Sequence, residues 1–376
     1  MKIAYVYDTI YPYTFGGVEK RIWELSVRLA RKGHEIHIFG PKFWEGDSII
    51  QKEGIYLHGV CNPPKDRFKG GRRSITWPIF FSLWLLFPLL KVKFDIIDCQ
   101  NFPYFPCYSA KIVSIMRRTP LVITWHEVWA DYWYEYLGKI GILGKLIEKM
   151  TASLKCTMIA VSDLTKRDLE AIGTKKSIKV ITNGIDLESI RKIEPSLQLS
   201  DIIFTGRQIK EKNLDILIKS INLLTKDLPD IKVIIIGDGP EKGAIERLID
   251  DLGLGNNVIM LGRVEKDEQV YAYMKSSRVF ISLSTREGFG IVALEANGCG
   301  LPVITIKHPR NAICDLITES ENGFICGLTE EDLAEKVLTA KALGENMRQK
   351  CLESAEDYDW GKIASEIDIF YSEIVN

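Results

Sequence analysis

Ser284-Thr-Arg-Glu-Gly-Phe-Gly-Ile-Val-Ala-Leu-Glu-Ala-Asn-Gly298 lies between two short apolar runs at 278–283 and 301–305. Both runs are rich in β-branched residues and have the length of buried strands. The segment between them predicts a tight loop and then a short helix, roughly 291–297, which Gly298 ends at a C-cap position. This order of strand, loop, helix and strand is the repeating unit of a parallel α/β sheet.

The loop in this segment has the features of an anion site. Gly288 and Gly290 keep it free of side chains, so the first helix amides, near Ile291, can approach a bound anion. Glu287 stands at its start and Glu295 two turns into the helix, with seven residues between them. Glutamates near a helix start also occur for purely structural reasons, so the rest of the chain decides their role.

Length and composition are those of a two-domain globular protein. The 376 residues are too many for one ordinary core and suit two domains of about 180 residues each. A net charge of −1 argues against a general nucleic-acid-binding surface. The eight cysteines show no CxxC pair and no metal-site spacing, which indicates free thiols in a reducing cytoplasm. The chain opens directly with a strand, so no signal peptide is predicted.

One apolar segment, residues 75–90, is shorter than the ~20 residues of a membrane-spanning helix and contains Pro78 and Pro88. Bases flank it on both sides: Arg67, Lys69, Arg72, Arg73, Lys91 and Lys93. Two interpretations stay open. The segment is either a buried helix that leads into a strand at 94–98, or an apolar face with a basic rim that contacts an anionic membrane near a lipid-linked acceptor. The two are compatible if one side of the helix is buried.

The first half of the chain alternates strands and helices. Strands are predicted at 2–8, 35–39, 94–98, 120–125, 157–161 and 178–182, with a helix from Val18 towards Gly33. Gly16 and Gly17 open that helix, either as a tight connection or to admit a phosphate to its N-terminus. His126 follows a strand at its carboxyl end, where open α/β sheets bind ligands. The other histidines are predicted to flank strands (His34, His37, His58) or to lie in a loop (His308).

The second half repeats this alternation after a turn at 183–186. The polar stretch 187–200 is predicted to link a domain of residues 1–186 to a domain of residues 201–359. Strands are predicted at 201–204, 232–236, 257–261, 279–283 and 302–305, and helices at 213–224, 241–252, 267–276, 291–297 and 330–342. One more amphipathic helix occupies 360–376.

Two cations follow the first strand of this half. Gly206 lets the chain turn, and Arg207 and Lys212 then lie five residues apart in a loop that enters a helix. A guanidinium matches phosphate oxygens and an ammonium adds a point charge, although surface lysines alone would also account for the pattern. The loop at Gly237 and Gly239 is similar to a dinucleotide fingerprint, but its spacing is GxGxxxG and Pro240 occupies the predicted helix start.

Together these motifs resemble those of retaining glycosyltransferases of the GT-B fold, family 4. The residues that carry the resemblance are Gly16-Gly17, Gly206-Arg207 with Lys212, Gly237-Asp-Gly-Pro240 and the pair Glu287-x7-Glu295. The resemblance covers nearly the whole chain. It implies an α/β fold of two Rossmann-like, doubly wound parallel-sheet domains that face a deep cleft, with the helix at 360–376 crossing back to the N-terminal domain.

The resemblance also implies a function: transfer of a hexosyl unit from a nucleotide diphosphate sugar to a glycan or lipid-linked acceptor, with retention of anomeric configuration, as in surface polysaccharide or lipopolysaccharide-like biosynthesis. The donor would lie on the C-terminal domain and the acceptor on the N-terminal domain. No cofactor and no metal are expected, because side-chain cations would meet the leaving diphosphate. The enzyme would be cytoplasmic, with contact to the inner face of a membrane in one interpretation.

Matching positions carry over the family's roles. Arg207 and Lys212 would neutralise the diphosphate, Glu287 would bind donor-sugar hydroxyls, and Glu295 would bind the ribose. The remaining implied donor contacts are His126 at the sugar, Gly16, Gly17 and Gly206 near the diphosphate, the backbone of Gly288, Phe289, Gly290 and Ile291 at sugar and phosphate, and that of Arg263 and Val264 at the base.

The chain departs from the family pattern at two places. Glu127 follows the histidine where aspartate is usual, and the segment after Thr305 lacks the Gly-Gly…Glu of many relatives, so donor identity does not follow by analogy. Two other functions stay open: a non-catalytic sugar-nucleotide-binding subunit on the same fold, and an NAD(P)-dependent oxidoreductase that uses the Gly237 loop.

Overall fold

The structure is a computed structural model that describes residues 1–64, 68–69, 72–74 and 76–376. Arg67 and Ile75, both in or beside the predicted apolar segment, lie outside the described residues. The chain divides into two compact units. The first unit comprises Met1–Asn183 and Trp360–Asn376, and the second comprises Gly184–Asp359.

The strands, in chain order, are β1 Lys2–Val6, β2 Glu35–Gly40, β3 Ile49–Lys52, β4 Ile55–Gly59, β5 Phe68–Lys69, β6 Arg72–Arg73, β7 Ile96–Asn101, β8 Leu121–Trp125, β9 Thr157–Ala160, β10 Ile178–Val180, β11 Ile202–Thr205, β12 Val233–Ile236, β13 Val258–Gly262, β14 Val279–Ser282, β15 Val303–Ile306 and β16 Gly323–Cys326.

The α-helices are α1 Gly17–Arg31, α2 Thr76–Lys91, α3 Phe105–Arg117, α4 Tyr132–Leu137, α5 Gly141–Ala152, α6 Asp163–Ala171, α7 Leu187–Lys192, α8 Leu214–Leu224, α9 Lys242–Asp251, α10 Asp267–Lys275, α11 Ile291–Gly298, α12 Glu330–Leu343, α13 Glu345–Glu356 and α14 Trp360–Val375. Short 3₁₀ turns occupy Gly138–Ile140, Lys210–Lys212 and Ala312–Leu316.

The first unit is built on one mixed sheet. Among the described residues its strand order is β10-β9-β8-β7-β1-β2-β4-β3, parallel throughout except that β3 pairs antiparallel with β4. The predicted alternation is confirmed. The β3–β4 hairpin was not predicted, because β3 lies at the sheet edge with exposed or half-buried side chains and therefore shows no apolar run.

The second unit carries a six-stranded, wholly parallel sheet in the order β13-β12-β11-β14-β15-β16. The chain steps outward from β11 through β12 to β13, then returns to the other side of β11 with β14. The β11–β14 pair is therefore the point where the strand order reverses. Loops that leave adjacent strands there open a crevice at the carboxyl edge, where ligands of open α/β sheets bind.

One local expectation in the second unit needs correction. Gly298 is the last residue of α11 and not its C-cap, and Gly300 takes the left-handed conformation at φ +82°. A Cβ on Gly298 would lie 2.7 Å from Ile185 Cδ1, so packing requires this glycine. The predicted linker 187–200 contains helix α7, whose Leu187 and Ile190 also pack against Gly298.

The apolar segment forms α2, which has two different faces. Phe81, Leu85 and Leu89 are fully buried in the core of the first unit, which confirms the buried-helix interpretation for that face. On the other face Leu83 and Phe87 are 65% and 68% exposed. Contact of this face with a membrane stays a prediction. None of the described helices is long and apolar enough to cross a membrane.

The sequence predicted that His37 and His58 flank strands, but the two residues lie inside β2 and β4. Both are buried, and His37 Nδ1 lies 2.7 Å from His58 Nε2. Burial lowers the pKa of His37, and it lowers the pKa of His58 to about 4, with the charges of His37 and Lys2 adding to the effect. This pair therefore favours its uncharged form in the folded protein.

Candidate active site

The loops after β11 and β14 are joined by hydrogen bonds at the carboxyl edge of the second sheet. Asn213 Nδ2 donates to Leu283 O at 2.7 Å, and the Thr285 amide donates to Glu211 O at 2.9 Å. These bonds fix the two loops to each other, so the side chains between them meet in a defined geometry.

Lys212 and Glu287, predicted as separate site residues, form an ion pair. Lys212 Nζ lies 2.7 Å from Glu287 Oε2 and donates to Ser284 Oγ at 2.8 Å. The two charged side chains are only 18% and 26% exposed. The ammonium is thus held in place by an acid and a hydroxyl while one side remains open to solvent.

Arg207 lies in the same loop, with an exposed side chain. Gly206 before it has a φ of +152°, in the region that favours glycine. The chain can therefore turn sharply out of β11 and present Arg207 at the sheet edge beside the segment that carries Lys212.

The glycines of the Gly237 loop have a structural explanation. A Cβ on Gly237 would lie 1.9 Å from Gly206 O, and one on Gly239 would lie 2.2 Å from Gln208 O. The Gln208 side chain also donates to Gly237 O at 2.8 Å. These glycines let two loops pack backbone against backbone and support the Arg207 segment, which accounts for their spacing without a dinucleotide.

The backbone of Glu287 is fixed by the segment that departs from the family pattern. The Glu287 amide donates to Arg310 O at 2.8 Å, and the Ala312 amide donates to Glu287 O at 2.9 Å. Gly290 has φ +91°, and a Cβ there would lie 2.3 Å from Ile313 Cγ1. The segment 310–313 therefore sets the shape of the glycine loop.

Helix α11 begins at Ile291 as predicted, and Gly290 at its N-cap supplies no side-chain hydrogen bond. Its first amides are left for an anion or solvent. Glu295, one to two turns along, is 7% exposed and accepts a hydrogen bond from Tyr271 OH at 2.7 Å. Arg263 and Val264 follow β13 on a neighbouring loop, Arg263 exposed and Val264 partly buried.

Gly16 and Gly17 stand at the N-terminus of α1 in the first unit. Gly16 is the N-cap in an extended conformation, with no side-chain cap. The carboxylate of Glu19 folds back over it, since a Cβ on Gly16 would come within 2.5 Å of Glu19 Oε2. An anion at this terminus would have to move that side chain, and the phosphate interpretation stays a prediction.

His126 follows β8, and its ring is oriented by a chain of buried polar groups. Gln100 Nε2 donates to Asp98 Oδ1 at 2.7 Å, which turns Gln100 Oε1 towards His126 Nε2 at 2.9 Å. Because an amide oxygen only accepts, His126 carries its proton on Nε2 and leaves Nδ1 as an acceptor. Burial lowers the pKa of His126 to about 3, with the charge of Arg21 adding, so the ring is neutral.

Asp98 is the end of that chain and lies in the middle of the first sheet. It accepts hydrogen bonds from Thr124 Oγ1 at 2.8 Å and from Tyr371 OH of α14. Burial raises its pKa to about 6, against the opposing effect of these donors and of Arg21. Arg21 is itself buried and donates to Asn183 Oδ1 at 3.0 Å.

Sequence reasoning missed three side chains that orient the predicted ones: Ser284, Tyr271 and Gln100. Their partners lie 72, 24 and 26 residues away in the chain. For Ser284 and Gln100 a signal existed, since both are polar residues at or near the carboxyl end of a buried strand. Tyr271 sits on a helix and offered none. All eight cysteines are free, and no cluster of metal-ligating side chains occurs among the described residues.

The family model of "Glycosyl transferases group 1" matches residues 187–358, and that of "Glycosyltransferase Family 4" matches residues 15–189. The phosphatidylinositol N-acetylglucosaminyltransferase gpi3 subunit of Schizosaccharomyces pombe is 28% identical over 80% of this chain and 65% of its own length. Alpha-monoglucosyldiacylglycerol synthase of Acholeplasma laidlawii is 23% identical over 87% of this chain and 85% of its own.

Among solved structures, the HepE protein of Anabaena in complex with UDP-glucose superposes with a TM-score of 0.75 at 19% identity, covering 99% of this chain and 100% of that one. The two α/β units have the fold of the GT-B class of glycosyltransferases. The two matched models together span residues 15–358, and the chain belongs to family 4 of that class.

Proposed function

We propose that the protein transfers a hexosyl unit from a nucleotide diphosphate sugar, with retention of anomeric configuration and without a metal, to a lipid-linked acceptor. The observation that carries the proposal is the meeting of Lys212, Ser284 and Glu287 at the point where the strand order of the second sheet reverses. Arg207 and the first amides of α11 lie on the same two loops.

The chemistry of the leaving group fits this set of residues. Departure of a nucleoside diphosphate places negative charge on the β-phosphate, and fixed cations and amides aimed there lower the barrier. Arg207 and Lys212 would supply the cations, and Glu287 would accept hydrogen bonds from the donor sugar. Glu295 would accept hydrogen bonds from the ribose hydroxyls. HepE of Anabaena, solved with UDP-glucose, supports a sugar nucleotide as the donor.

Two observations support a lipid-linked acceptor. The S. pombe and A. laidlawii relatives are named for phosphatidylinositol and for a diacylglycerol product. The second observation is the exposed apolar face of α2, which ends near the exposed Lys91 and Lys93 and would contact a membrane. In a vesicle sedimentation assay, the protein should bind vesicles with anionic lipid at low salt and leave them when the salt is raised.

The test is a donor screen. The purified protein is incubated with a mixture of UDP-, GDP- and ADP-sugars and with lipid vesicles, and mass spectrometry identifies the sugar nucleotide that is consumed and the glycolipid that forms. Consumption of one donor with formation of a glycosylated lipid supports the proposal. Tight binding of a donor without turnover over many acceptors would favour a non-catalytic subunit instead. Fluorescence titration with NADH tests the alternative function as an oxidoreductase. The packing role of Gly237 and Gly239 argues against that alternative.

A further inference from the structure

The first unit contains an apolar pocket of about 270 Å³ that the function described above does not use. Its walls come from the first turn of α2, the segment between β7 and α3, helix α4 and helix α5. Representative lining residues are Ile79, Phe102, Tyr104, Trp133, Ile140 and Leu143. Tyr104 and Trp133 are buried, whereas Ile79, Ile140 and Leu143 are 40%, 62% and 56% exposed and so lie at its mouth.

Packing and hydrogen bonds hold the pocket open. Glycines let α5 lie directly on Trp133, since a Cβ on Gly144 would come within 2.3 Å of the Trp133 ring. The buried carboxylate of Glu148 accepts hydrogen bonds from Tyr104 OH at 2.6 Å and from the Trp129 amide at 2.8 Å. These contacts fix the aromatic wall, so the cavity is a formed site and not a gap between mobile side chains.

The pocket is connected to the segment that carries His126. Strands β7 and β8 are parallel neighbours, so the loops after them leave the same edge of the sheet. Trp129, three residues after His126, stacks on Phe102 of the pocket wall with ring centroids 4.7 Å apart. A molecule whose apolar end lies in the pocket would therefore extend along the wall that leads to the His126 loop.

Charge around the pocket decides what kind of molecule reaches it. Exposed apolar side chains continue from its mouth over α2, α3 and α5, for example Leu83, Ile115 and Ile142. Among the described residues of these three helices the acidic side chain is Glu148, which is buried, while the bases are Lys91, Lys111, Arg117, Lys145 and Lys149. Helix α4, the remaining wall, adds the exposed Glu135, and the exposed Asp131 before it pairs with Lys145. An apolar face around which bases outnumber acids is complementary to an anionic bilayer. A second copy of this chain docked on the same face would instead bring the bases of the two copies together.

We propose that this pocket holds a hydrocarbon chain of the lipid acceptor, which enters from an anionic bilayer and places its polar end towards the His126 loop. This rests on the proposed transfer to a lipid-linked acceptor and specifies where that acceptor is recognised. The pocket would select acceptors by the length of the chain, because each CH₂ that enters adds about 0.8 kcal/mol, or roughly fourfold in affinity.

Binding of a chain is tested on the full-length protein without vesicles, using 11-(dansylamino)undecanoic acid as a fluorescent probe. The wild type should bind it, and fatty acids of six to twelve carbons should displace it with rising affinity until the pocket is full. Ile79→Asp and Leu143→Asp should each weaken binding about tenfold or more, because a carboxylate at the mouth disfavours an apolar ligand. Leu83→Asp is the matched control, one turn further along α2, and should change the affinity less than twofold.

A second measurement links the chain to the acceptor. In transfer to lipid vesicles, the probe should raise the KM for the acceptor lipid, and donor hydrolysis by water, measured without lipid, should stay unchanged. Absence of probe binding, or equal effects of Ile79→Asp and Leu83→Asp, would overturn the pocket assignment while leaving transfer intact. Probe binding without any effect on transfer would identify a resident lipid and overturn the acceptor assignment. Probe binding by a protein that consumes no donor would refute the proposed function itself.

Discussion

Lys212 is held by Glu287 and Ser284. A diphosphate would compete with Glu287 for the ammonium, and Glu287 would then turn to the hydroxyls of the sugar. The position of Lys212 is already set by its loop, so binding would require little rearrangement. Preorganised charge of this kind contributes more to catalysis than a mobile surface lysine, since no reorganisation is needed during the reaction.

Replacing Lys212 by methionine should therefore lower kcat by about 10²–10³-fold, the loss that follows removal of one preorganised donor at a developing negative charge. Steady-state kinetics with the donor found in the screen measure the effect. Lys210→Met, in the same 3₁₀ turn but exposed, is the control and should retain nearly full activity. Equal activity of the two variants would show that Lys212 does not meet the leaving group.

The contact between the loops after β11 and β12 can be tested at the scale of the element. Gly237→Ala places a Cβ 1.9 Å from the Gly206 carbonyl oxygen and also requires a side chain at φ +126°. We expect a loss of about 2–4 kcal/mol in the free energy of unfolding, as for other strained backbone sites. Activity should fall too, because the shift reaches Arg207.

Gly243→Ala is the matched control for that substitution. Gly243 lies in the first turn of α9, a Cβ added there would have no atom within 4 Å, and its φ is not positive. The change should therefore stabilise the protein by roughly 0.5–1 kcal/mol through the higher helix propensity of alanine. Chemical denaturation of both variants checks the pair. A harmless Gly237→Ala would contradict the backbone contact.

Strands β2 and β4 predict a dependence of stability on pH. Burial lowers the pKa of His58 from its ordinary value of 6.5 to about 4. Between pH 6.5 and pH 4, His58 is therefore protonated in the unfolded chain but stays neutral in the folded chain. The free energy of unfolding should therefore fall as the pH drops from about 6.5 to about 4, by up to about 1.4 kcal/mol per pH unit for one group. His58→Gln should flatten this slope in denaturation curves at pH 7 and pH 5, and an unchanged slope would exclude His58 as the cause.

At the scale of the whole molecule, the C-terminal helix belongs to the first unit although it follows the second in sequence. Trp360, Ile363, Ile367 and Tyr371 of α14 are at most 4% exposed in the core beside β1 and α1. Tyr371 also donates to the buried Asp98. The last helix thus completes a core whose other members are separated from it by more than 170 residues.

Deleting residues 360–376 should unfold the first unit and leave the second folded. Four large buried side chains contribute about 1.5–3 kcal/mol each, a sum comparable with the roughly 5–15 kcal/mol that stabilise a domain. Limited proteolysis checks this: the truncated protein should lose fragments from residues 1–183 and retain a resistant core within 184–359. A truncated protein as resistant as the full chain in both regions would refute this role for α14.

Much of the architecture followed from local pattern. Buried parallel strands read as apolar runs and their helices as amphipathic stretches, so the alternation was predicted in both halves. The exceptions have physical reasons. Strand β3 of the β3–β4 hairpin lies at the sheet edge and lacks a buried apolar run. His37 and His58 are polar residues inside strands, at buried positions that apolar residues usually occupy.

The sequence by itself determined the class of fold and the residues that can meet an anion, because glycines, cations and acids occur at the ends of predicted strands and helices. Tertiary structure alone decided the partners of these residues: Lys212 pairs with Glu287, Glu295 with Tyr271, and His126 with Gln100, which also bonds to Asp98. It alone also formed the apolar pocket from α2, α4 and α5. Strand and helix patterns are local in the chain, whereas these contacts depend on the order in which strands pair, which brings distant loops to one edge of a sheet.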